Sequence, residues 1–90
     1  MAIETIEDYI VKELKENYEN VVKDLIKRVY DTVSGSRELL LTYLGDELRF
    51  FMMDNYGGRT LQERLIRIGL AYVDWDEIAE RVLDTFEEVI

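Results

Sequence analysis

Apolar residues return at steps of three and four along most of this chain, and no proline interrupts the series. Ile3, Ile6, Ile10, Leu14 and Tyr18 form one stripe, continued by Val21 or Val22, Leu25, Val29 and Val33. Such spacing puts these side chains on one face of an α-helix. A single helix over residues 3–33 would be far longer than the roughly eleven or twelve residues typical of globular proteins. The sequence therefore predicts a break near Asn17-Tyr18-Glu19-Asn20, with Asn20 as an N-cap. Ser34-Gly35-Ser36 ends the unit. Gly35 suits a left-handed C-terminal position and Ser36 suits the next cap.

Residues 37–56 are apolar on most sides. Leu41, Leu44, Leu48 and Phe51 make one stripe, widened by Leu39, Tyr43, Phe50 and Met53, with Glu38, Thr42, Asp46 and Arg49 as a polar strip. A helix of this kind is central to a fold or half of an interface. The alternative is an α+β fold with a hairpin at 38–53 turning at Gly45-Asp46. Residue types favour the helix: residues 37–56 contain no Val or Ile, and Thr42 is their single β-branched residue.

Asn55-Tyr56-Gly57-Gly58 reads as a stop and a turn. Thr60-Leu61-Gln62-Glu63 matches a capping box, and Leu61, Leu65, Ile68 and Tyr72 make an apolar face on a helix ending near Gly69. Asp74-Trp75-Asp76-Glu77 reads as a second box, with Val73 and Ile78 placed for a hydrophobic staple. Trp75, Ile78, Ala79, Val82, Phe86 and Val89 form the expected buried face of the last helix. The expected fold is thus all-α, a compact bundle of four or five helices in one domain spanning residues 1–90.

Hydrophobic residues make up 48% of the 90, enough for a small core. A domain of this size has a thin stability margin, and with no cysteine it has no disulfide to widen it. Dense helix packing or self-association remains. The start of the chain shows no basic region followed by an apolar run, and Phe50-Phe51-Met52-Met53 is too short to span a bilayer. These features lead to the expectation of a cytoplasmic protein that uses no membrane.

Histidine is also absent, which removes the commonest general base and the Glu-x-x-His pairs of di-iron bundles. Asp74, Asp76 and Glu77 open like an acidic calcium loop, but the glycine and distal glutamate of that loop are missing. The chain is expected to be no enzyme and to hold no metal or cofactor. Residues 60–88 have the outline of a helix-turn-helix, yet the second helix begins Asp-Trp-Asp-Glu and would repel phosphate. Direct nucleic-acid binding is not expected, in keeping with the net charge of −9.

That charge sits at the ends. Residues 1–20 hold six acids and two bases, residues 74–90 hold seven and one, and the stretch between sums to +1. Glu77, Glu80, Asp84 and Glu88 fall on one face of the last helix, with Glu13 and Glu16 as further acids on the first. A charged face is commonly just solvated surface. Carboxylates at helical spacing also imitate a phosphate backbone, so the partner expected here is a protein with a basic surface. The competing expectation is a homo-oligomeric structural or regulatory bundle joined through Leu40, Tyr43, Phe50 and Met53. The segment Tyr-Val-Asp-Trp-Asp-Glu-Ile-Ala-Glu-Arg, residues 72–81, resembles segments near the ends of small acidic proteins from phages and mobile elements. Some of these block restriction or CRISPR systems. The resemblance covers about ten residues and implies an inhibitor that occupies a surface without chemistry.

Overall fold

The structure is a computed structural model that describes residues 5–87. Ile3, Glu88 and Val89, assigned above to helical faces, lie outside these residues. The described residues form five helices: α1 (Ile6–Asn17), α2 (Glu19–Val33), α3 (Arg37–Asp54), α4 (Leu61–Ala71) and α5 (Trp75–Thr85). No strand occurs among the described residues, and the hairpin at 38–53 is not formed. Gly45 and Asp46 lie in the middle of α3.

Local chemistry explains most of the boundaries. Thr5 and Asp8 form a reciprocal capping box: Asp8 N–H donates to the Thr5 hydroxyl at 3.1 Å, and Thr5 N–H donates to the Asp8 carboxylate at 2.9 Å. The break between α1 and α2 is a single residue, Tyr18, with φ −131° and ψ 28°. Its N–H donates to Leu14 O and its carbonyl accepts from Val22 N–H. Asn20 is therefore not the cap; it lies inside α2, and Tyr18 holds that position without a side-chain cap bond. The Tyr18 ring packs edge-on to Phe51 of α3 with centroids 5.0 Å apart, so a tertiary contact is present at the break. Ser34 and Gly35 both take left-handed backbone, and the Ser36 hydroxyl accepts from Leu39 N–H to start α3. Asp74 accepts from Glu77 N–H at 3.1 Å, which is half of the expected second box.

Helix α3 is the central element. It packs against α5 and α2, more lightly against α4, while α1 closes on α5 and α2. Its buried line is Leu40, Leu44, Leu48 and Met52, with Leu41 and Phe51 only half-buried. Leu44 and Leu48 of the predicted stripe are thus buried, while at its ends Leu40 and Met52 take the buried places expected for Leu41 and Phe51. Leu14, Val22, Ile26, Ile78 and Val82 fill the space around this line, each contributing about 1.5–3 kcal/mol by leaving water. Gly45 lets α3 approach the start of α5: a β-carbon there would stand 3.1 Å from the Trp75 carbonyl oxygen. The shortest dimension, 22 Å, matches two layers of helices about 10–12 Å across.

Candidate interaction surfaces

Helix α4 is joined to the body mainly by polar bonds. Glu63 completes a capping box with Thr60, whose hydroxyl accepts from Glu63 N–H at 3.1 Å. The Glu63 carboxylate also accepts from the N–H groups of Gly57 at 3.0 Å, Arg59 at 3.2 Å and Thr60 at 3.3 Å. Those bonds, that from Gly57 foremost, hold its acid below the usual carboxylate value. Arg67 donates from Nη1 to the carbonyls of Met53 at 3.1 Å and Tyr56 at 2.7 Å, covering the C-terminal end of α3. Arg64 Nε donates to Gly58 O at 2.9 Å. These arginines serve carbonyls of the 53–58 segment. The far end is tied by the Trp75 indole N–H, which donates to Leu70 O at 2.7 Å.

Leu70 is the one buried residue of α4. The apolar face read from the sequence points the other way: Leu61, Leu65, Ile68 and Tyr72 are 73%, 59%, 57% and 86% exposed. At about 100° per residue these four fall within roughly 60° of arc, on the side of the helix opposite Leu70. Beside them an open groove of about 620 Å³ runs between α1 and α4. Ile6, Tyr9 and Glu13 form its α1 wall, Leu65, Ile66 and Gly69 its α4 wall, and Met52, Tyr56 and Leu70 also line it. Among the described residues, nothing beyond its chain neighbours and its own helix backbone comes within 4 Å of where a Gly69 β-carbon would lie.

The predicted acidic stripe divides. Glu77, Glu80 and Asp84 are exposed on α5, and Glu88 lies outside the described residues. Asp84 stands 3.7 Å from Arg37 of α3, a pair of exposed groups worth little in water. Asp74, Asp76, Glu77 and Glu80 meet Glu38 of α3 around a shallow notch, with Leu41 and Thr42 as its other lining and no base among these residues. Glu13 is not with them: it lines the α1–α4 groove. Glu16 is exposed on α1. The α1 acid that reaches α5 is Asp8, 2.8 Å from Arg81. Backbone bonding from Thr5, then Arg81, holds its acid below the usual range. Among the described residues no group of three or more acidic side chains is arranged to hold a metal ion, and no polar or charged side chain is buried.

The apolar surface predicted on α3 is corrected in part. Leu40 is 2% exposed and belongs to the core, because it continues the Leu44–Leu48 line toward the bundle interior. Met53 is half-buried against that core. Tyr43 and Phe50 are exposed, as is Leu39, but Asp46 interrupts the line they make. No helix of the described residues is long and apolar enough to cross a membrane. No protein-family model matches the sequence, and no significantly similar curated protein or solved structure was found.

Proposed function

We propose that this chain is a non-catalytic protein-interaction module whose contact surface is the outward face of α4 with the adjoining α1–α4 groove. The observation that carries this reading is the inversion of α4. Its apolar stripe faces solvent while polar bonds and a single buried leucine fasten it to the fold. Contiguous exposed apolar surface of this extent is characteristic of protein contacts, and Tyr at its end suits an interface.

A second reading has its own observation. Acids from α3 and α5 converge on the notch around Glu38, Asp74, Asp76, Glu77 and Glu80. That favours a ridge presented to a basic protein surface of the kind that holds nucleic acid, as in the anti-defence inhibitors that residues 72–81 resemble. Affinity capture with three baits separates the readings: wild type, Leu65→Asp with Ile68→Asp, and Glu80→Lys with Asp84→Lys. A partner lost from the first variant and kept by the second supports the apolar face. The reverse pattern moves the contact to the acidic ridge.

A further inference from the structure

We infer that the occupant of the α4 face is a second copy of this chain, packed with its α4 antiparallel to the first about a twofold axis. The inference rests on the interaction-module reading and names its partner. Spacing is the first support. Leu61, Leu65, Ile68 and Tyr72 advance by four, three and four residues, the a/d rhythm that lets two helices interlock along a seam. One stripe paired with itself across a twofold axis needs no complementary surface elsewhere.

Area is the second. These four side chains expose on the order of 500 Å², the apolar centre of a face to which each partner of a stable interface gives roughly 800 Å².

Gly69 is the third. A glycine inside a helix costs about 1 kcal/mol relative to alanine, and no neighbour among the described residues requires it. It flanks the stripe, where the missing side chain admits close approach of another backbone.

Charge is the fourth. Each chain carries −9 overall, yet residues 59–72 hold Arg59, Arg64 and Arg67 against Glu63, a local balance of +2. Self-contact at α4 keeps the acidic ends of the chain out of the seam. The antiparallel arrangement sets Arg64 of one copy beside the carbonyl end of the other's α4, where a cation is favoured, and opposes the two helix dipoles. A parallel pair would bring the arginine-rich starts together.

Sedimentation equilibrium over a concentration series tests this. A reversible monomer–dimer equilibrium is expected. It should tighten with added salt, because salt screens the repulsion between two anionic bodies. Leu65→Asp with Ile68→Asp should weaken it by at least about 100-fold with circular dichroism unchanged, since neither side chain supports the monomer core. Gly69→Leu should weaken dimerisation while preserving the fold, and Phe50→Asp should leave the dimer intact. The chain has no cysteine, so engineered pairs report the orientation. A mixture of Leu61→Cys and Tyr72→Cys chains should cross-link as heterodimers, and cross-linking of Leu61→Cys alone in preference would overturn the antiparallel seam. A wild type that stays monomeric to about 0.5 mM overturns the inference altogether. If that monomer still loses a captured partner through Leu65→Asp with Ile68→Asp, the interaction-module reading stands with a different occupant. If it loses none, both fall.

Discussion

Gly45 and Gly69 both lie inside helices, and their surroundings give them opposite roles. A side chain at Gly45 would press on the Trp75 carbonyl, which belongs to backbone and yields poorly. Gly45→Val should therefore destabilise the fold by about 1–3 kcal/mol, read as a lower urea midpoint. Gly69 faces open space. In the Leu65→Asp, Ile68→Asp background, where the seam is removed, Gly69→Ala should stabilise by about 0.5–1 kcal/mol through helix propensity alone. A loss of stability there would mean that the monomer itself needs the glycine. In the sequence each is a lone glycine among apolar-periodic residues, Gly45 at the turn of the alternative hairpin and Gly69 near the expected end of its helix. What distinguishes them is the α3–α5 approach, a contact between residues thirty positions apart.

Among the elements, α4 differs from the rest in how it is held. Helices α1, α2, α3 and α5 bury three or more side chains each, and α4 buries Leu70. Its docking depends on Glu63, Arg64 and Arg67, whose side chains bond to backbone of the 53–60 segment, with the Thr60 hydroxyl as a further donor to Glu63. Hydrogen bonds from charged groups contribute about 1.5–3 kcal/mol where they are sheltered, and the Arg67 pair is part-buried. Arg67→Ala should accordingly speed amide exchange in α4 and in residues 55–60, leaving α3 and α5 protected. Equal acceleration throughout would show that α4 belongs to the same cooperative unit as the core. A weakly docked helix with an outward apolar stripe is also the element that a second copy would immobilise most.

At the scale of the whole molecule, acid should weaken the fold in a defined direction. Asp8 and Glu63 are held below their ordinary values of 3.8 and 4.5 by bonds made only in the folded chain. Each contributes stability that is present above the ordinary value and lost as pH falls through the lowered one. Urea midpoints should therefore decline below about pH 4, less steeply in Glu63→Gln, whose amide does not titrate; an unaltered slope would remove Glu63 from the acid response. Much of the architecture that Glu63 serves was legible from residue order. Helical periodicity, Ser36, Thr60 and Asp74 mark where α3, α4 and α5 begin, because caps and amphipathic stripes are made by residues within a turn or two of each other. Asn20 misled because the α1–α2 break lies at Tyr18, where local capping competes with the packing of its ring on Phe51. Leu40 misled because α3 is apolar on most sides, so its pattern could not say which line faces inward; α2 and α5 decided that. The stripe of Leu61, Leu65, Ile68 and Tyr72 was visible as an apolar face, but periodicity reports only that such a face exists. Whether it turns to the core or to a partner depends on where Arg67, Leu70 and Trp75 fasten the helix, and that is settled by contacts between distant parts of the chain.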